Sequence, residues 1–211
     1  MARTRTDDFN VWPAFTDTML AFVLVLVLMA SYLIARSVNL ADPKIQKEQS
    51  TVRERVESYK EKYPNIEIRK NGTIQNITFG SDITFEPGSA QLSNDGVRLM
   101  RDIANTIIGG GKGGKLEKLD EIQVSGHTDN VPINSAAYSS NWELSTARAR
   151  RVINSLIQGG VDPDSVTMSA TGYAQYEPRA SNENPRSRQR NRRIEMRLIY
   201  SGSAEEISSR R

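Results

Sequence analysis

Val124-Ser-Gly-His-Thr-Asp129 and, beyond a polar loop, Asn141-Trp-Glu-Leu-Ser-Thr-Ala-Arg-Ala149 are the stretches that decide the fold. The first ends a short apolar strand, residues 121–125, and leaves Asp129 in a loop at a sheet edge. The second opens a helix that runs over 141–158 and is stopped by Gly159-Gly160. On that helix Leu144, Ala147, Val152 and Leu156 face inward, and Arg148 falls in the second turn. An Asp and an Arg held together can clamp a zwitterion, the Asp taking an ammonium and the Arg a carboxylate with two parallel hydrogen bonds. A plain Asp129–Arg148 salt bridge that only stabilises the domain would use the same two residues.

Working outward, residues 92–108 carry apolar side chains at 92, 97, 99, 100, 103, 104, 107 and 108, the stripe of a second helix. Residues 66–70 and 73–79 read as a hairpin with Asn71-Gly72 as its two-residue turn. Residues 166–170 and 193–200 read as further strands. Strands, helix, strand, helix, strands predicts an α+β domain over 66–200, a mixed sheet with helices on one face. About 135 residues suffice for one core, and 201–211 reads as a tail.

Four separated motifs then agree. They are Phe85-Glu-Pro-Gly-Ser-Ala-Gln-Leu-Ser93, the two stretches above, and Asn191-Arg-Arg-Ile-Glu195. In this order and spacing they resemble the OmpA-like peptidoglycan-binding domain over most of 75–200. The resemblance implies a peptidoglycan stem peptide as ligand. It makes Asp129 and Arg148 the pair that takes the ammonium and carboxylate of diaminopimelate, places Thr128 and Asn141 in the same site, and has Asn191 and Arg192 support the binding loop. One departure stands out: the loop Asn130-Val-Pro-Ile-Asn-Ser-Ala-Ala-Tyr-Ser-Ser140 lacks the glycine often found soon after the Asp in that family.

Near the other end, Phe15 to Ala35 reads FTDTMLAFVLVLVLMASYLIA, with Asp17 as its only charged residue. As a helix it is about 31 Å long, one hydrocarbon core. A cleaved signal peptide would have a shorter apolar run and a small-residue cleavage site, and Ser31-Tyr32-Leu33 is a poor one. The expected layout is a cytoplasmic tail 1–13 and a membrane helix 14–35. Arg3 and Arg5 precede the helix and Arg36 and Lys44 follow it, so flanking charge orients it weakly. The periplasmic character of the C-terminal domain places the N-terminus in the cytoplasm. Trp12 and Phe15 suit the interfacial belt there.

A carboxylate inside a membrane helix is costly, roughly 2.5–3.5 kcal/mol on insertion scales, and such groups face a bundle interior or a water path. Thr16 and Thr18 flank Asp17 and can hydrogen-bond a hydrated ion or a carboxyl proton. The alternative is an Asp close enough to the helix end to reach the headgroups. Trp12-Pro-Ala-Phe-Thr-Asp-Thr-Met19 resembles the start of the membrane helix in flagellar stator B subunits (MotB), and still more the B subunit of the Zorya anti-phage system. By that resemblance Asp17 is the ion-carrying group for H+ or Na+, no other cofactor is needed, and the partner is a multi-helix A subunit (MotA- or ZorA-like) that shelters it. A short linker and a short cytoplasmic tail favour the Zorya type over the flagellar one.

Residues 36–65 are a polar linker in which Ile45, Val52, Val56, Tyr59 and Tyr63 form a seam between Pro43 and Pro64. A short two-stranded coiled coil, giving a homodimer, and a lone amphipathic helix lying on the following domain both satisfy this spacing.

Composition excludes more than it suggests. With no cysteine and one histidine among 211 residues, disulfides, thiolate sites, cysteine nucleophiles and multi-histidine metal centres are all absent. A net charge of +3 makes no case for nucleic acid. Arginines 179, 186, 188, 190, 192, 193 and 197 lack interleaved aromatics, so contact with anionic wall polymer or solvent is the better reading than nucleic acid. Gly109-Gly-Gly-Lys-Gly-Gly-Lys-Leu116 nearly spells a P-loop, yet it ends in Leu and follows a helix, which makes it a flexible connection. His127 has no nucleophile motif near it and reads as structural. No carboxylate pair or nucleophile constellation marks an enzyme. The expectation is a peptidoglycan-anchored, single-pass inner-membrane subunit of an ion-driven motor, or failing that a wall tether that conducts nothing.

Overall fold

Ile194, Met196, Leu198 and Tyr200 are buried and alternate with half-buried Glu195, Arg197 and Ile199. That two-residue period belongs to a sheet with one covered face. In the computed structural model, which describes residues 12–39, 42–63, 65–109, 116–133 and 135–201, this strand is the centre of the sheet. The strands are β1 (Glu67–Asn71), β2 (Ile74–Gly80), β3 (Leu119–His127), β4 (Thr167–Ala174) and β5 (Arg193–Tyr200), in the order β1-β2-β5-β3-β4. Only β3 and β4 are parallel. A parallel neighbour needs a crossover, and the long helix between them supplies it.

The helices of this unit are α2 (Pro43–Tyr59), α3 (Ser81–Thr84), α4 (Asn94–Ile107), α5 (Asn141–Gln158) and α6 (Pro185–Asn191). Helix α5 packs on β3 and β4, α4 on α5, and α2 on α4 and β1. Their caps are local: Ser93 accepts from Gly96 N, Ser140 from Glu143 N and Asn184 from Ser187 N. The mixed sheet with helices on it is the predicted α+β domain. Bounds at 141–158 and 193–200 coincide with the expectation, whereas α3 and α6, each two turns or fewer, carry no apolar period and are additions. The hairpin turn is Gly72-Thr73, because Asn71 still pairs with Ile74. Gly72 has φ +59°, the left-handed value that suits glycine at the first turn position.

The seam of the linker helix is resolved. Ile45, Val52, Val56 and Tyr63 are buried in the domain core, and Gln49 Nε2 donates to the Gly72 carbonyl at 3.2 Å. The chain divides between Ala41 and Asp42, so α2 is part of the domain and not a linker that ends at 65. The coiled-coil arrangement is overturned: its seam is spent on the core. Residue 64, the glycine-rich stretch 110–115, the tail residues with Arg3 and Arg5, residues 202–211 and the side chain of Arg36 lie outside the described residues.

The other unit is α1 (Trp12–Asn39), a few residues longer at both ends than the predicted 14–35. Pro13 sits in its first turn, where no helix hydrogen bond is lost. Phe15–Leu33 has mean hydropathy 1.9 and none of it is buried.

Candidate functional site

The site is built where β3 ends and α5 begins. Gly126 and Gly172 lie under the first turns of α5: a side chain on Gly126 would collide with the Ser145 carbonyl, and one on Gly172 with Ser145 and Thr146. Two strands without side chains at that level let the helix sit close on the sheet. Ser145 Oγ accepts from Ala174 N at 3.1 Å, and Thr128 N donates to the Ala174 carbonyl at 2.8 Å, which ties the loop after β3 to the end of β4.

Asp129 is buried at this junction. Its Oδ1 accepts from Val131 N at 3.0 Å, an Asx turn that shapes the following loop. Its Oδ2 accepts from Arg192 Nη1 at 2.8 Å. Arg192 also grips Asp82 with its two remaining nitrogens, Nε donating to Oδ1 at 3.0 Å and Nη2 to Oδ2 at 2.8 Å. The Asp82 hydrogen bond, aided by Asp129, raises the Arg192 pKa against its own desolvation. Thr128 is buried and its hydroxyl donates to the Asp129 carbonyl at 2.8 Å. Asn141, the first residue of α5, donates Nδ2 to the carbonyls of Asp129 (3.3 Å) and Val131 (2.9 Å) and to Gln175 Oε1 (3.5 Å).

Arg148 is buried and makes no hydrogen bond to Asp129. Nε donates to the Ser89 carbonyl at 2.8 Å, and the guanidinium carbon lies 5.2 Å from the centre of the Phe85 ring. No carboxylate pairs with it among the described residues. Desolvation lowers its pKa to about 10, with Asp82 and Asp129 opposing, so it is charged at neutral pH. The plain Asp129–Arg148 salt bridge is therefore not the arrangement: Asp129 has Arg192 as its partner, and Arg148 keeps guanidinium nitrogens for something else. Asn191, fully buried, accepts from Arg179 N and Ala180 N, each at 2.8 Å, and donates to the Ala180 carbonyl and Asn182 Oδ1. It holds the 179–182 loop beside Arg192. Asp82, Phe85 and Ser89 are members that residue-by-residue reading did not assign. Asp82 is 110 residues from its partner and carries no local signal.

The arginine run is mostly engaged within the fold. Arg179 pairs with Glu67, Arg193 with Glu195, and Arg197 donates to Gln123 Oε1. With Arg186, Arg190 and Arg192, Arg179 and Arg193 line an open groove of about 310 Å³. His127 is buried and stacks on Tyr173 at 5.2 Å and 13°, and neither ring nitrogen has a hydrogen-bond partner. Desolvation first and Arg193 second lower its pKa to about 4, with Glu195 opposing.

The OmpA family model matches residues 84–192, more than half of the chain. This chain belongs to the OmpA family. Among individual relatives, Motility protein B of Bacillus subtilis is 33% identical over 163 residues, 76% of this chain and 59% of that protein. The chain spans between 46% and 59% of the Motility protein B relatives it matches. Among solved structures, the cell wall anchor of the T6SS from Pseudomonas aeruginosa superposes with TM-score 0.59 at 28% identity, covering 70% of this chain and 96% of that one. The periplasmic domain of Helicobacter pylori MotB gives 0.57 at 26%, covering 71% and 88%.

Proposed function

We propose that this chain is the wall-anchored B subunit of a cation-driven inner-membrane motor. The observation that carries the proposal is the joining, in one chain, of an apolar span holding a single carboxylate to an OmpA-family domain in which Arg192 bridges buried Asp129 to exposed Asp82. In the membrane, Asp17 binds and releases H+ or Na+, with Thr16 and Thr18 beside it. A lone helix leaves that carboxylate facing lipid, so the assembly includes a multi-helix A subunit and a second copy of this chain, paired through the membrane helices rather than through α2.

The domain holds the peptidoglycan stem peptide. Asp129 accepts the diaminopimelate ammonium on lone pairs left over from Val131 and Arg192, and Arg148 takes a carboxylate. Arg192 aims the Asp129 carboxylate, and Thr128, Asn141 and Asn191 hold the loops around it. A force-generating ring does work on its target only if one part is immobile, and wall binding supplies that. The short joint between α1, which ends at Asn39, and α2, which starts at Pro43, favours a Zorya-type defence complex over a flagellar stator.

Cation influx into cells making this chain with its A subunit tests the reading. Asp17→Asn is expected to abolish influx while membrane insertion and retention on purified sacculi are kept. If the variant conducts and protects as the native protein does, the motor mechanism is wrong and the chain is a wall tether. Loss of phage protection with normal swimming separates the defence role from the flagellar one.

A further inference from the structure

Strand β1 is one edge of the sheet and pairs only with β2. Counted from a two-residue turn, the closing pair of a hairpin and every second pair beyond it exchange the ladder hydrogen bonds. That register gives Asn71, Arg69 and Glu67 to β2 and leaves the N–H and C=O groups of Ile68 and Lys70 at the open edge. Among the described residues, no backbone group of another segment meets them. An open edge of this kind is a template for one more strand.

Helix α2 packs beside β1. Between them is a groove of about 530 Å³, lined by Gln49, Ser50 and Arg53 of the helix and by Ile68, Arg69 and Lys70 of the strand. No acidic residue lines it among the described residues. Arg69 pairs with Glu67 at 3.2 Å. Arg53 and Lys70 are exposed and make no ion pair or hydrogen bond among the described residues, so the groove holds uncompensated positive charge. Gln49 is 2% exposed; its Nε2 donates to the Gly72 carbonyl, while its buried Oε1 has no donor. A buried acceptor left open is costly, and a ligand that brings an N–H removes the cost.

A line of backbone donors and acceptors is matched only by another extended backbone. The five residues of β1 span about 17 Å, which sets the length of the matching stretch. A second copy of β1 is a poor occupant, because antiparallel self-pairing about Arg69 sets that side chain against its own copy. The surplus positive charge asks instead for carboxylates. We propose that an extended acidic segment of a partner protein docks here, adding to β1 as a sixth strand. Its residues opposite Ile68 and Lys70 share their face of the sheet, so acidic side chains at those positions lie in the groove with Arg53 and Lys70. None of these residues belongs to the Asp129 site.

The test uses the full chain in detergent micelles and three short probes with blocked ends. They are an alternating Thr–Glu peptide, the same peptide with Lys for every Glu, and the Thr–Glu peptide N-methylated at its Glu residues, whose amides face the β1 edge. The first is expected to bind and to slow hydrogen exchange at the Ile68 and Lys70 amides, and the other two to bind at least about tenfold more weakly. Arg53→Glu and Lys70→Glu should each weaken the Thr–Glu peptide by about tenfold, since each turns an attraction into a repulsion. Melting temperature and retention on sacculi should stay as in the native chain. Equal binding of the N-methylated probe would leave charge attraction alone and overturn strand addition. No binding of the Thr–Glu peptide, or binding that neither substitution weakens, overturns the site. Protection of the Ile68 and Lys70 amides that grows with protein concentration, without any peptide, would assign the edge to a second copy and overturn the acidic partner.

Discussion

Arg192 is the residue on which the site depends, because it satisfies two carboxylates at once. Asp129 has a side chain 10% exposed, and without Arg192 it is a nearly buried charge with one backbone donor. His127, two residues earlier, is a different kind of buried group, neutral and without a hydrogen-bond partner. Arg193 disfavours its charged form and Glu195 favours it, and Tyr173 covers its face. In the unfolded chain the imidazole takes a proton below about pH 6.5, whereas in the fold it waits until about pH 4. Unfolding therefore takes up a proton inside that window, and stability falls as pH drops through it. His127→Phe keeps a ring against Tyr173 and removes the titration. Melting curves from pH 7 to pH 4 should decline less steeply for the variant, and an unchanged slope would show that other groups carry the acid sensitivity.

At the scale of elements, α2 is where packing decides between two arrangements that look alike in sequence. Its apolar stripe lies in the domain core, so Ile45→Ala should lower the unfolding free energy of the domain by about 2–5 kcal/mol. Its mass in solution, read by analytical ultracentrifugation, should not change; a shifted oligomer with an unchanged melt would restore the coiled coil. Helix α5 and strand β5 were legible because each combines a strong period with a clear stop. The stripe of α2 was not decidable, since a partner helix and a domain surface bury the same spacing. The inward position of Arg148 was in the pattern, four residues after Leu144 and four before Val152, but the spacing does not say that its hydrogen bond goes to the Ser89 carbonyl and its face to Phe85 rather than to Asp129. The pairing of Asp129 with Arg192 was beyond local reading: β5 comes last in the chain and lies beside β3 in the sheet, and only that topology brings residue 192 to residue 129.

At the scale of the whole molecule, the chain divides into an apolar helix that buries nothing and a domain with a core of its own. Residues 42–211 contain their own core and their own site. Expressed without α1, they are expected to melt in one cooperative transition and to bind sacculi as the full chain does. A multi-step melt, or loss of binding, would mean that the domain needs its N-terminal helix to be complete.

The central place of β5 sets a condition on biogenesis. Without it, β1-β2 and β3-β4 share no strand ladder, so the sheet closes only when residues 193–200 arrive. If, as proposed, the domain is exported behind its N-terminal helix, its sheet closes only after the last strand has crossed.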